Sequence, residues 1–168
     1  MKRRAYRRTN VKLLDREGLL EQSAKHGVGR NVLGLDIAKG EIVAVLRWHD
    51  GEVERPWSLK NPTEIETLVE IIHLLKGAGQ QVVVGLESKG SYGEAVRRAL
   101  TLAGVEVQRV SGKAVCDYKE VYDGVPSQHD GKDAAVIAEL TAFGMGTAWP
   151  YEEESPFFQV LRHHMRRL

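Results

Sequence analysis

A chain of 168 residues has the length of one domain, and a hydrophobic content of 42%, with 7% aromatic residues, is enough for a packed core. It contains no run of about eighteen apolar residues, and no apolar segment follows the basic N-terminus, which excludes a membrane span and a secretory signal. The single cysteine, Cys116, excludes an internal disulfide and a cysteine-rich zinc site, and it fits a reducing cytoplasm.

The net charge of +1 hides an uneven distribution along the chain. Residues 1–30 contain nine Lys or Arg and three acidic residues, which gives +6 there and −5 over the rest of the chain. A basic arm on a mildly acidic body indicates contact with a polyanion, although a solvated terminal segment would have the same composition.

The first predicted elements are a short helix and three strands. Residues 9–25 carry a weak apolar stripe at helical spacing. The nearly continuous apolar run at 32–37 is typical of a strand buried on both faces. A second strand follows at 42–48, and Asp50-Gly51 makes a hairpin turn into a third strand at 52–59.

Helices and strands alternate in the rest of the chain. Asn61-Pro62-Thr63 opens a helix, because a cap residue is followed by proline in the first turn. The later elements are a strand at 81–87, a helix at 91–103, a strand at 105–110, a short helix at 112–122 and a last helix at 130–143. Three antiparallel strands and two right-handed crossovers predict an α/β domain of the RNase H-like type, with a mixed five-stranded sheet flanked by helices.

Four acidic residues stand out against this pattern. Asp36 ends the first apolar strand and Glu87 ends the fourth, where a buried charge without a partner costs several kcal/mol. These two strands are predicted to be parallel neighbours, so both carboxylates emerge at the sheet edge where α/β ligand sites form. Asp130 and Asp133 are three residues apart at the start of the last helix, hence on one face.

Converging carboxylates repel each other, and a hard divalent cation relieves that repulsion. A ligand set made only of oxygens suits Mg²⁺, with Mn²⁺ as a substitute, and such ions assist in-line displacement at phosphorus. Taken singly, Asp130 is also a candidate helix cap, Asp133 a partner of the helix dipole and Asp36 a turn former. The four together favour a metal site.

Three segments carry a resemblance to a known family. Gly34-Leu35-Asp36-Ile37-Ala38-Lys39, Glu87-Ser88-Lys89-Gly90-Ser91-Tyr92 and Asp130-Gly131-Lys132-Asp133-Ala134 resemble, in order, three motifs of the DEDD transposases of bacterial insertion sequences. The N-terminal domain of that family is related to the RuvC Holliday-junction resolvases. The match covers about residues 32–140.

The resemblance implies a function and a set of roles. It makes Asp36, Glu87, Asp130 and Asp133 the catalytic, metal-binding tetrad of a transposase that recombines DNA in the bacterial cytoplasm. It also implies a guide-type non-coding RNA as a partner and a homo-oligomer in the full-length protein.

The sequence departs from the family pattern in two places. Gln128-His129 stands where the family usually has Lys-Thr, and Lys89 replaces the threonine of the second motif. Both changes leave the acids intact and put the local phosphate contacts in question.

Five further residues are candidates for nucleic-acid contact. Lysines flank the acids or the same sheet edge and are suited to phosphates, while a tyrosine can stack on a base or sugar. They are Lys39, Lys89, Tyr92, Lys113 and Lys132. Each also has a plain alternative, as surface charge for the lysines and as packing for the tyrosine.

The chain therefore divides into a basic arm with a short helix at 1–30, an RNase H-like catalytic domain at 31–146, and a linker with the start of a helix at 147–168. The last segment has no visible end cap. The family continues into a second domain with a serine nucleophile, so we expect this chain alone to be incomplete for transposition.

Three other functions compete with a transposase. A free-standing junction resolvase would share the metal site, and a non-catalytic nucleic-acid-binding domain would share the fold. A sugar-kinase or actin-type ATPase needs glycine after the first acid and a second repeat of the fold, whereas Ala38-Lys39-Gly40 follows Asp36.

Overall fold

The computed structural model describes residues 8–87, 90–122, 131–153 and 156–167. The strands are β1 (Thr9–Asn10), β2 (Arg30–Ile37), β3 (Glu41–Arg47), β4 (Trp57–Lys60), β5 (Gln81–Glu87), β6 (Glu106–Val110) and β7 (Thr147–Ala148). The α-helices are α1 (Arg16–His26), α2 (Ile65–Gly77), α3 (Glu94–Leu102), α4 (Gly112–Tyr122), α5 (Lys132–Ala142) and α6 (Pro156–Arg166), and a 3-10 helix spans Val11–Leu13.

The strands form one mixed sheet in the order β1-β4-β3-β2-β5-β6-β7. The β2–β3 and β3–β4 pairs are antiparallel, whereas β2–β5 and β5–β6 are parallel, which confirms the predicted meander and the two crossovers. Five strands were predicted, and the sheet of the described residues has seven. The two additional strands, β1 and β7, lie at its edges and are two residues long, too short to show a periodic pattern.

The predicted third strand was wrong in its first half. Regular pairing begins only at Trp57, after an isolated bridge between Arg47 and Val53. Pro56 has no N–H for a sheet ladder, and its carbonyl oxygen accepts instead from the Thr9 N–H at 2.9 Å. The residue before the strand therefore joins the edge strand β1.

The first helix is also shorter than predicted. Its N-cap is Asp15, whose Oδ1 accepts from the Gly18 N–H at 3.0 Å, so residues 9–14 form β1, the 3-10 helix and a link instead. Val11 and Leu19 are nevertheless buried in the main core. Burial of side chains of this size stabilises a fold by roughly 1.5–3 kcal/mol each. Residues 8–30 therefore contribute to the stability of the domain as well as to its positive charge.

Helices cover both faces of the sheet. On one face, α2 and α3 bury their apolar residues against Leu33, Leu35, Val84 and Leu86. On the other face, α5 packs on the sheet and α4 packs on α5. Within the described residues, no helix combines the length and apolar composition that crossing a bilayer requires.

Two strand glycines let α5 lie close to the sheet. A Cβ at Gly34 would overlap the carbonyl oxygen of Ala134, and one at Gly85 would overlap the hydroxyl of Thr141. Both positions are in the central parallel pair, where Gly34 is opposite Gly85. The close approach of α5 to this face of the sheet therefore depends on these two glycines.

Candidate metal centre

Asp36 and Glu87 lie side by side at the carboxyl edge of the sheet. The register pairs Leu35 with Leu86, so the next residues of the parallel strands β2 and β5 are these two acids. Both are partly buried. The predicted juxtaposition of the two strand ends is present in the structure.

Both acids belong to the face of the sheet that carries α5. Side chains alternate along a strand, so Asp36 shares the face of Gly34, and Glu87 shares that of Gly85. Asp36 is also opposite Val43 in β3, and Val43 packs with Ala134 of α5. The first turn of α5 therefore lies on the same side as the two strand-end carboxylates.

Glu87 is held against the start of α4. Val110, its neighbour in β6, leads into Ser111 and Gly112. A Cβ at Gly112 would lie 2.6 Å from Glu87 Oε1, so any other residue there would displace the carboxylate from its present position. Ser111 caps the helix, since its Oγ accepts from the Ala114 N–H at 3.1 Å. The positive end of a helix dipole beside a carboxylate is a favourable arrangement.

Asp133 lies in the first turn of α5 and is paired with a lysine from α4. Lys119 Nζ is 2.7 Å from Asp133 Oδ1, with the two side chains 30% and 38% exposed. That hydrogen bond raises the pKa of Lys119, and the charges of Asp133 and Asp36 raise it further. The Lys119 ammonium therefore interacts electrostatically with the carboxylates of both Asp36 and Asp133.

The structure places two of the four predicted acids, Asp36 and Glu87, at adjacent strand ends, and a third, Asp133, in the first turn of the helix on the same face of the sheet. Asp130 lies outside the described residues, and its place in the tetrad stays a prediction. In the described part of the chain, Asp36, Glu87 and Asp133 do not gather all their ligand oxygens within 4.8 Å of one another. Helix α5 begins at Lys132, with Gly131 at its N-cap position.

The predicted nucleic-acid contacts differ in exposure. Lys39 and Lys113 are exposed, and Tyr92 is 51% exposed while its carbonyl oxygen accepts from Asn61. Lys132 is only 4% exposed, which leaves little of its surface for a ligand. Lys89 lies outside the described residues. The nucleic-acid roles of all five stay predictions.

A cavity of about 490 Å³ lies beside α4. Lys113 and Asp117 line it together with the apolar residues Val121, Leu140 and Met145. Its lining also includes Ser111, the residue before Gly112.

A second group of metal-ligand side chains lies at the opposite end of the sheet. The ligand atoms of His26, Asp50 and Glu52 all lie within 4.8 Å of one another, so this group could hold a metal ion. It follows the end of β3 at Arg47, which is opposite Val32 near the start of β2. The sequence did not indicate this group, because α1 and the hairpin turn are far apart along the chain.

The contacts of this second group connect two segments that are distant along the chain. His26 Nδ1 is 2.5 Å from Asp50 Oδ2, and the imidazole stacks on Trp48 with ring centroids 4.7 Å apart. The hydrogen bond with His26 lowers the pKa of Asp50, and the Glu52 N–H lowers it further. The group therefore joins the end of α1 to the hairpin.

Comparison with models of known protein families shows the family to which the chain belongs. The family model of the IS110-type DEDD transposases, described as a transposase, matches residues 33–167. The chain belongs to this family. A search of curated proteins found no significant match.

One solved structure shows the fold of the chain. The chain is similar to Thermus thermophilus RuvC in complex with a Holliday junction substrate, with 16% identity and a TM-score of 0.53 over 72% of this chain and 100% of that one. This likeness shows the RuvC-type, RNase H-like fold that the sequence predicted.

Two further structures match more weakly. A second Thermus thermophilus RuvC structure has 16% identity and a TM-score of 0.47 over 71% of this chain and 99% of that one. The ethanolamine utilization protein EutJ from Carboxydothermus hydrogenoformans has 14% identity and a TM-score of 0.40, over 62% and 49% of the two chains.

Two residues that contact the predicted acids were not indicated by the sequence. Gly112 and Lys119 lie in the predicted short helix at 112–122, and neither belongs to one of the three motifs. A faint signal exists for Lys119, because it follows the buried Val115 by four residues and therefore shares its helical face.

Proposed function

We propose that this transposase-family chain is a Mg²⁺-dependent catalytic domain that cleaves and transfers DNA strands during transposition of an insertion sequence. The observation that carries the proposal is the parallel pairing of β2 with β5, which sets Asp36 beside Glu87 on the face that carries α5. Asp133, in the first turn of α5, supports it from the helix side.

The residues at this edge fit a hard divalent cation. Asp36, Glu87, Asp133 and, by the family resemblance, Asp130 offer only carboxylate oxygens, which Mg²⁺ prefers and Mn²⁺ accepts. The ammonium of Lys119 at 2.7 Å from Asp133 indicates that positive charge is favourable here. A bound ion would supply activation of the attacking oxygen and stabilisation of charge on the phosphate and leaving oxygen.

The protein's part is to fix the ligands. Asp36 and Glu87 end strands of the central parallel pair, which is covered on both faces, so their backbone positions are rigid. Gly112 leaves the space that the Glu87 carboxylate occupies. Lys39, Lys113 and Tyr92 are exposed and are proposed to contact phosphates and a base of the DNA, with Lys89 and the buried Lys132 nearby in sequence.

The proposed partners follow from the family. DNA is the substrate, and the RuvC structure that shares this fold was solved with a Holliday junction. A guide-type RNA and a homo-oligomeric full-length protein are further proposals that rest on the family resemblance.

The first experiment measures metal binding. Mn²⁺ is titrated into the wild type, Asp36→Asn and Glu87→Gln, followed by electron paramagnetic resonance with and without DNA. We expect each acid variant to bind Mn²⁺ at least about tenfold more weakly, because a divalent ion loses a charged ligand. Glu66→Gln removes an exposed carboxylate from α2 on the other face and is the matched control. Absence of Mn²⁺ binding by the wild type, even with DNA, would refute the proposed metal centre.

The second experiment separates the competing nucleic-acid functions. End-labelled four-way junctions and linear duplexes carrying insertion-sequence ends are incubated with the chain and Mg²⁺ or Mn²⁺. Cleavage at the insertion-sequence ends supports the transposase function, and cleavage confined to junctions supports a resolvase. DNA binding with neither metal-dependent cleavage of these substrates nor Mn²⁺ binding in the first experiment would favour the non-catalytic alternative.

A further inference from the structure

Helix α4 places the positively charged side chain of Lys119 beside the proposed metal centre. Its first residue, Gly112, contacts Glu87, and its apolar face packs on α5 through Val115. Lys119 is four residues beyond Val115 and therefore on the same face, directed at the first turn of α5. The position of the helix, set by its contacts at its start and along its length, places the Lys119 ammonium against Asp133.

The contact that Lys119 makes there uses a proposed metal ligand. Its Nζ is 2.7 Å from Asp133 Oδ1, the distance of a charge-assisted hydrogen bond. Both side chains are less than half exposed, at 30% and 38%, so solvent screens the pair only in part. An ordinary surface ion pair would have the same distance. The contact by itself therefore does not show that the Asp133 carboxylate is a metal ligand.

The ammonium and a divalent ion compete for the same oxygen. A Mg²⁺ ion that took the lone pair of Asp133 Oδ1 now used by Lys119 would lie about 2.0–2.1 Å from that oxygen, inside the space that the Lys119 Nζ occupies at 2.7 Å. Two cations so close to each other also repel, most strongly where water is partly excluded. Both cannot occupy the same lone pair of that oxygen, and their repulsion disfavours an arrangement in which each takes one of its two lone pairs.

We propose that Lys119 holds the Asp133 carboxylate in the metal-free protein and gives up that oxygen when the divalent ion binds. The inference rests on the proposed function, since it takes Asp133 as a metal ligand. Lys119 is then a positioning residue that keeps the acids together against their own repulsion. Its presence weakens metal binding, which is the opposite of what a supporting structural role would do.

The test compares Mn²⁺ affinities of the wild type and lysine variants by electron paramagnetic resonance. Removal of the competing charge in Lys119→Met should tighten Mn²⁺ binding about fivefold, the size expected for one partly exposed ion pair. Lys119→Gln, which is neutral but still a hydrogen-bond donor, should act in the same direction. Lys119→Arg keeps the charge, and Lys25→Met removes an exposed lysine from α1; both should bind like the wild type.

Unchanged or weaker Mn²⁺ binding by a folded Lys119→Met, checked by circular dichroism, would overturn the inference while the metal centre stands. In the Asp133→Asn background the effect of Lys119→Met should disappear, because the contested oxygen has lost its charge. A persistent effect there would also contradict the inference. No Mn²⁺ binding by any variant, including the wild type with DNA, would instead refute the proposed function and this inference with it.

Discussion

At the scale of single residues, the candidate site depends on close neighbours as much as on the acids themselves. Glu87 Oε1 occupies the space in front of Gly112, and Asp133 Oδ1 is hydrogen-bonded to Lys119. Each carboxylate is thus restrained by one particular residue of α4. The acids were recognisable in the sequence because charges rarely interrupt apolar strands, whereas Gly112 and Lys119 belong to common surface patterns.

Gly112→Ala should separate metal binding from stability. The added Cβ would lie 2.6 Å from Glu87 Oε1 and push the carboxylate out of place. Alanine also has a higher helix propensity than glycine, although at the first residue of a helix the gain is smaller than the roughly 1 kcal/mol of a helix interior. We therefore expect an unchanged or higher melting temperature together with Mn²⁺ binding weakened about tenfold or more.

Gly77→Ala is the control for that change, because it substitutes another helical glycine whose Cβ would meet nothing within 4 Å. It should leave Mn²⁺ affinity unaltered. If Gly112→Ala bound Mn²⁺ as tightly as the wild type, the Glu87 carboxylate would not need its present position.

At the scale of elements, helix α5 connects the sheet with the candidate site. It lies on Gly34 and Gly85 of the central parallel strands and carries Asp133 in its first turn. The apolar pattern of the chain predicted a helix here, and the structure confirms it. The helix can lie close to the sheet because Gly34 and Gly85 have no side chains. In the sequence this feature is visible only as a glycine inside each of two strands.

Gly85→Ala should destabilise the domain by about 1–3 kcal/mol, the usual cost of overpacking a core. Its Cβ would overlap the Thr141 hydroxyl, so α5 would have to move off the sheet. Urea denaturation measures the loss. Gly40→Ala, whose Cβ meets nothing within 4 Å, should leave the free energy of unfolding nearly unchanged. Equal stabilities for the two variants would mean that α5 tolerates the displacement.

At the scale of the whole molecule, the basic N-terminal segment has two parts. Residues 8–30 include Val11 and Leu19, which are buried in the main core, so they cannot be removed without loss of stability. Residues 2–7 contain Lys2, Arg3, Arg4 and Arg7. The polyanion contact expected from the sequence can therefore be tested on the shorter segment alone.

Deletion of residues 2–7 should weaken DNA binding and flatten its dependence on salt, since each lost phosphate contact reduces the slope of log K against log salt by about 0.9. Fluorescence anisotropy at several salt concentrations measures both. Deletion of residues 1–30 should in addition lower the melting temperature, because it removes Val11 and Leu19. An unchanged salt slope after the short deletion would show that these four charges do not touch DNA.

The sequence by itself determined the order of the main strands and helices, the parallel pairing of β2 with β5, and the two carboxylates at their ends. These depend on local periodicity, on turn residues and on the handedness of crossovers, all of which are properties of short segments. Only the tertiary structure decided that Gly112 faces Glu87, that Lys119 reaches Asp133, and that residues 8–30 share the core. It also decided where His26, Asp50 and Glu52 meet. Each of these joins residues distant along the chain, and such contacts arise only when whole elements pack against one another.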